Sequence, residues 1–520
     1  MSTSKTSILV EILAKRKVWE ETYNDGAIIL LAVGCAMVFI MIPALGYLYS
    51  GLARRSSALS LIQVCILAGF VGMFQWYFWG YSLAFSSTAT NGFIGNLHNF
   101  GFQNVLGGED YPELAFAIFQ MMFLCVTLAI IVGATCERGR LIPSMIFCFI
   151  WATLVYCPIA CAVWNTNSGW AAKWGVLDYA GGGPVEILSG VSGFVYSAFL
   201  GKRKERRIGN FKPHNVSMVT LGTMLLYFGW LGFNGFSCIY PSLRVVYLIM
   251  NTNLSAAFGA LTWVILDWRI EKKWSAVGLC SGCISGLVAA TPSSGCITLY
   301  GSVIQGVIAG IICNYSTKIK FLLKVDDSLD ILAEHGLAGV VGLLFNAFFG
   351  SSDIIGYDGQ TDAEGGFITH DYRSIYKQIC YILFAIGYST VVTTIICFIM
   401  ERIPFLKLRV SEELEERGLD EDQVGEFAYD YVEVRRDFLS WGVPPPADSE
   451  AFNVANQYGA ANDVMKEKNA AHFNHGKNSD ETSEDNNERG NQEIHVQDNV
   501  SSDGNDGHAV ITGSTVIDVS

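Results

Sequence analysis

Eleven separate stretches of mainly apolar residues, each about 20 long and so able to cross a hydrocarbon core as a helix, occupy the first 403 positions of the chain. They start near Ala27, Ala58, Glu113, Leu141, Gly181, Val216, Asn251, Trp274, Ile297, Ala333 and Tyr376. The second, fourth and eleventh stand out; the seventh to tenth are shorter and interrupted by glycine. Lipid gives the backbone no hydrogen-bond partner, so each span must satisfy its own N–H and C=O groups. The expected fold class is therefore an all-α polytopic membrane protein with eleven transmembrane helices. A composition of 51% hydrophobic and 16% charged residues agrees with that class. Glycines at four-residue spacing, Gly278, Gly282 and Gly286 and then Gly306 and Gly310, suit ordinary close packing between such helices.

Positive charge sets the orientation. The first connection carries Arg54 and Arg55, and the third Arg138 and Arg140. The fifth carries Lys202, Arg203, Lys204, Arg206, Arg207 and Lys212. The seventh has Arg269, Lys272 and Lys273, and the ninth Lys318, Lys320 and Lys324. The even connections hold only Lys173, Arg244 and Arg373. Odd connections are thus expected in the cytoplasm, with the N-terminus outside and the C-terminus inside.

The net charge of −14 belongs mostly to the end of the chain. From Trp441 onward there are 14 Asp and Glu against four Lys and Arg, which leaves a nearly neutral body and no case for nucleic-acid binding. The expected organisation is an extracellular segment over residues 1–26, a membrane domain over 27–403, a cytosolic segment over 404–445 and a disordered acidic tail over 446–520. Within the third region EELEERGLDEDQVGEFAYD reads as a charged helical docking element, from Arg409 to about Tyr431. The tail is rich in Asn, Asp, Ser and Glu and cannot form a packed core. Ser479, Thr482, Ser483 and Ser501 are candidate sites for kinases there, set against a plain solvated tail. No basic region leads into a short apolar core and cleavage site, so no cleaved signal peptide is expected. The 14 cysteines fall mostly inside apolar spans and read as small core residues, Cys280 and Cys283 included.

Two ionisable residues lie where membrane helices should have none. Glu186 sits inside GGGPVEILSGVSGFVYSAFLG, and His335 opens EHGLAGVVGLLFNAFFG; each follows an aspartate by eight residues, Asp178 and Asp327. Ionisable groups at membrane depth are costly and mark a pathway for a polar solute or proton. One per half, in matched contexts, suggests an internal repeat with its site at midplane. A carboxylate and an imidazole can share a proton; the structural alternative is a buried pair that locks two helices. Asp178 is placed to cap the glycine-rich start of the fifth span, with a cation-ligand role as the alternative. Phe119, Phe123, Trp164, Tyr227, Trp230 and Phe233 could narrow a pore and attract a small cation.

The segments DYAGGGPVEILSG, GWLGFNGFS, GLVAATP and DDSLDILAEHGLAG, with the tail GLD…GEFAYD, resemble the Amt/Mep/Rh ammonium transporters from about Gly26 to Tyr431, in their fungal Mep form. The resemblance implies two inverted five-helix repeats plus an eleventh helix, a homotrimer in the plasma membrane with one pore per subunit, and ammonium and methylammonium as substrates. It implies that Trp164, Phe123 and Ser237 recruit the cation, that Phe123 and Phe233 form a stacked gate, and that Asp178 supports the outer vestibule. His335 matches the second residue of the family's histidine pair. The first position is Glu186, which sets aside mechanisms needing two imidazoles and moves the chain away from the histidine-containing branch tied to nutrient sensing.

Import of ammonium through a hydrophobic pore is the leading expectation. The alternatives are a sensor signalling through its cytosolic tail and a proton-coupled transporter of another small amine. No phosphate loop, nucleophile motif or metal-ligand cluster accompanies Glu186 and His335, so no enzymatic activity, metal or cofactor is expected; membrane lipid is the other partner.

Overall fold

The computed structural model describes residues 23–108, 111–204 and 212–428. Most of the N-terminal segment, Arg206 and Arg207, the end of the 404–445 region and the entire 446–520 tail with its candidate phosphate acceptors lie outside the described residues.

Among the described residues, eleven helices long and apolar enough to cross a membrane follow one another. They are α1 (Asp25–Leu52), α2 (Arg55–Phe85), α3 (Glu113–Thr135), α4 (Leu141–Trp164), α5 (Gly182–Leu200), α6 (Val216–Cys238), α7 (Leu243–Glu271), α8 (Ala276–Ser293), α9 (Leu299–Leu323), α10 (Leu332–Phe349) and α11 (Arg373–Arg402). Among the described residues the extended backbone pairs only once, in an isolated bridge between Gly139 and Arg409. Because five is odd, α6 enters from the face opposite α1, so α1–α5 and α6–α10 form two halves of inverted direction.

One boundary departs clearly from the sequence expectation. The seventh span starts at Leu243, not near Asn251, and with 29 residues it is not short. Arg244, which reads as a loop charge, lies in its first turn and is buried. Its guanidinium donates to the Gly295 carbonyl, pairs with Asp358 and rests 4.9 Å from the Tyr179 ring centroid. A paired charge at a helix start is tolerated where an isolated one is not.

Glycine lets α7 lie against both α8 and α9. A methyl group at Gly282 or Gly286 would collide with Trp263, Gly259 or Ser255 of α7, and one at Gly306 or Gly310 would collide with the same helix at Ser255 or Gly259. Side chains cap several starts: Asn24, Asn215, Ser275 and Thr298 each accept a backbone N–H from the first turn that follows. Of the cysteines, Cys380 is exposed and Cys35 half-buried, while the other twelve are buried, and all are free thiols.

The odd-numbered connections are fastened to one another by charge. Glu137, buried between α3 and α4, accepts the Arg54 backbone N–H at 2.6 Å and pairs with Arg54 and Arg203. Arg203 also grips Asp326, and the fully buried Arg138 donates to the Asp326 carbonyl and to Ser328 Oγ. Burial alone would raise the Asp326 carboxyl, but the hydrogen bonds from Arg203 and the charges of Arg138 and Arg203 hold it at about 2.

The chain after α11 folds back onto these connections. Its helix is shorter than the sequence suggests: α12 covers Glu412–Arg417, and Gly418 ends it with φ near 108°. Glu415 of α12 accepts the Lys204 backbone N–H and pairs with Arg409. Asp420 then accepts the Leu59 and Ser60 N–H groups in the first turns of α2, and Gln423 bridges Gly139 and Leu141.

Candidate functional site

Both α5 and α10 begin in a π-helical turn, Gly182–Ile187 and Leu332–Leu337. Such widened turns are rare and redirect side chains locally. Glu186 and His335 are the fifth and fourth residues of these two turns. An aspartate caps each. Asp178 Oδ1 accepts the Gly181 and Gly182 N–H groups at 3.1 and 2.6 Å, and Oδ2 accepts Gly183 N–H at 2.7 Å and Tyr381 O–H at 3.1 Å. Asp327 accepts Ile331 and Leu332 N–H at 3.2 and 3.0 Å. Burial pushes the Asp178 carboxyl up to about 6, against the lowering effect of the Gly183 and Gly182 N–H groups.

The two turns meet because the crossing helices lack side chains at the contact. A methyl group at Gly190 would overlap the Gly336 backbone nitrogen, and one at Gly339 would stand 2.9 Å from Glu186 Cβ. At that separation His335 Nδ1 and Glu186 Oε2 are 2.9 Å apart, both side chains buried. Glu186 Oε1 is buried without a protein partner. A carboxylate and an imidazole so arranged can hold one shared proton, and the free carboxylate oxygen can accept another hydrogen bond.

The aromatic residues assemble at one end of this region. Phe123 of α3 and Phe233 of α6 stack with centroids 3.9 Å apart and planes 21° from parallel, both fully buried. The half-buried Trp164, last residue of α4, stands edge-on to Phe123 at 6.0 Å and donates its indole N–H to the Asp178 carbonyl. A Cβ on Gly181 would touch the Trp164 ring, so this cluster lies about one turn from Glu186. Ser237, half-buried at the end of α6, donates to the Phe233 carbonyl at 2.7 Å. Phe119 and Trp230 flank the stacked pair, and Trp230 is anchored by Thr291. Tyr227 stands apart, with its hydroxyl on Asn253. The structure therefore brings together Trp164, Phe123, Phe233, Ser237 and Asp178 as one cluster, with Glu186 and His335 as a second.

Sequence reasoning missed Tyr381, Thr291 and the Gly190–Gly336 crossing. Tyr381 carries no local signal, since it sits in the apolar run of α11. Gly190 and Gly339 occupy matching positions, each twelve residues after its aspartate, a signal that could have been read. Among the described residues no group of three or more His, Cys, Asp or Glu side chains could hold a metal ion.

The model of the Ammonium Transporter Family matches residues 29–429. The chain is 61% identical over 458 residues to Ammonium transporter MEP3 of Saccharomyces cerevisiae, covering 87% of this chain and 94% of the relative. It is 63% identical over 439 residues to Ammonium transporter MEP1 of the same yeast, covering 84% and 89%. Among solved structures, the crystal structure of Saccharomyces cerevisiae Mep2 superposes with a TM-score of 0.72 at 45% identity, covering 75% of this chain and 91% of that one.

Proposed function

The chain belongs to the ammonium transporter family, and from that premise we propose that it imports ammonium across the plasma membrane, with its N-terminus outside and its C-terminus in the cytoplasm. Orientation is supported by the basic odd-numbered connections. As the resemblance implies, the working form is a homotrimer with one pore per subunit.

Ammonium arrives at the outer aromatic cluster, where the faces of Trp164 and Phe123 attract a cation and Ser237 Oγ accepts one of its N–H bonds. Passing further costs the ion its water, a penalty too large for an apolar channel to bear unaided. The stacked Phe123 and Phe233 rings close the way until one moves. Beyond them the Glu186–His335 pair removes the difficulty by separating the cargo. A proton leaves ammonium for the pair, neutral ammonia continues through the pore, and the proton moves along the shared hydrogen bond. Glu186 Oε1 can accept from the cargo while Oε2 remains with the imidazole. Asp178 holds the start of α5, and so Glu186, in register.

The observation that carries this reading is the 2.9 Å contact between two buried ionisable side chains from opposite halves, with Trp164 of the aromatic cluster against Gly181, about one turn before Glu186. The test is methylammonium uptake from about pH 4 to 8 in cells lacking their own ammonium transporters; an unperturbed carboxylate and imidazole titrate near 4.3 and 6.5. Glu186→Gln should lose most uptake while reaching the surface. Glu186→His should remain active with its pH profile displaced. His335→Ala should be the most damaging, since it strands a buried carboxylate. Identical profiles for parent, Gln and His variants would reduce Glu186 to a structural residue.

A further inference from the structure

The cytosolic end of α5, the end of α9 and the connection before α10 enclose a cavity of about 280 Å³, lined by Lys202, Arg203, Lys320, Phe321, Lys324 and Asp326. Two of its cations are already engaged, Arg203 with Asp326 and Glu137, and Lys320 with Asp330 at 2.7 Å. Lys202 and Lys324 are exposed and make no ion pair among the described residues, and the same holds for neighbouring Lys318, whose ammonium stands 5.3 Å from the Tyr315 ring centroid. Among the described residues Asp326 is the one carboxylate lining the cavity, and it is already paired with Arg203, so the lining keeps an excess of positive charge.

The last turn of α9 carries a second chemistry. Phe321, Leu322 and Leu323 are exposed, Leu322 by 80%. Lys320 and Lys324 fall four residues apart on one side of the turn, and the apolar side chains project from the others. Such a surface, at the end of a membrane span, faces charged headgroups and acyl chains together. A dissolved anion would meet the lysines and leave the apolar edge in water.

We infer that this cavity binds the headgroup of a polyanionic inositol phospholipid of the cytosolic leaflet, with Lys202 and Lys324 on its phosphates and Phe321 and Leu322 against its acyl chains. The leaflet rests on the orientation proposed above. A lipid held there clamps the connection after α5 to the one that carries Asp327, the cap of α10.

The test uses the purified full-length protein in detergent, where both faces are open, so its outcome depends on neither orientation nor transport. Dioctanoyl phosphatidylinositol 4-phosphate is titrated and bound lipid counted by native mass spectrometry, with dioctanoyl phosphatidylcholine as the comparison. The parent should retain the inositol lipid at least about tenfold more tightly, and the Lys202→Gln/Lys324→Gln double variant should lose about thirtyfold of that affinity. Should the double variant fail to purify, Lys324→Gln alone decides, with an expected loss of about fivefold. Leu322→Ser should weaken the lipid without altering its preference over phosphatidylcholine. Equal retention of the two lipids overturns the inference, as does an undiminished lysine variant. Competition by free inositol 1,4-bisphosphate as potent as that of the lipid itself would also overturn it, because the site would then be one for soluble anions.

Discussion

The starts of α5 and α10 are one device used twice, yet the two copies differ in what they carry. Each has an aspartate cap, a π-helical turn and an ionisable residue eight positions after the aspartate. The α5 copy ends in a carboxylate and the α10 copy in an imidazole. Their supports differ too. Asp178 gathers three glycine N–H groups and the Tyr381 hydroxyl, whereas Asp327 holds two N–H groups and stands beside Asp326, which Arg203 grips. Repetition of the backbone builds the meeting point, and divergence of two side chains makes it chemically unequal.

The sharpest way to break the equivalence is to remove each cap. Asp178→Ala strands four donors in a buried place, at about 1–3 kcal/mol for each left unsatisfied, and should abolish stable protein or uptake. Asp327→Ala strands two and should be milder. Thermal unfolding followed by size exclusion in detergent ranks them; an Asp327 variant as unstable as the Asp178 variant would contradict the asymmetry.

The crossing gives a second contrast. Gly190→Ala sets a methyl group on the Gly336 backbone and should cost about 1–3 kcal/mol with loss of most uptake, because backbone cannot yield. At Gly336 the nearest atom to an added methyl is Leu332 Cδ1, 3.2 Å away at the end of a flexible side chain. Gly336→Ala should therefore retain much more methylammonium uptake than Gly190→Ala, and equal losses would show that the crossing is not set by that contact.

Further out, truncation compares the docked segment after α11 with the acidic tail beyond residue 446. Ending the chain at 446 should leave uptake unchanged, while ending it at Arg409 should lower it severalfold, since Asp420 and Gln423 then leave α2 and the α3–α4 connection. Matching uptake from both truncations would separate docking from activity.

The smallest effect concerns Asp326 and pH. Its carboxyl titrates near 2 in the fold, below the 3.9 or so of an unperturbed aspartate. The stabilisation it supplies is present above about pH 4 and fades as pH falls toward 2. Partial exposure trims its size. The melting-temperature gap between the parent and Asp326→Asn should accordingly be full at pH 6 and close at the acid end; a gap independent of pH would place the effect of Asn outside ionisation.

The spans were legible because hydrophobic runs of membrane length have few competing explanations, and the paired aspartate spacing pointed to Glu186 and His335, which do touch. Arg244 misled the seventh boundary, since nothing local reveals that Asp358 and the Gly295 carbonyl await it. Arg138 counts in the sequence only as a charge of the third connection, while in the fold it and neighbouring Glu137 lie buried at the junction of several connections. Asp420 serves backbone groups some 360 residues earlier in the chain, and no periodicity reports a contact of that separation. The stacking of Phe123 on Phe233 likewise came from the family's motif, because aromatics are frequent throughout these helices.

The central hydrogen bond joins side chains of different repeats, while the aspartate caps and the glycine crossing that position them are built from other residues. One codon change at position 186 or 335 replaces a titrating group and leaves that framework untouched. On the mechanism proposed above, the acidity at which the protein works becomes an adjustable setting, open to selection as an organism's surroundings sour or sweeten, without the fold having to be rebuilt.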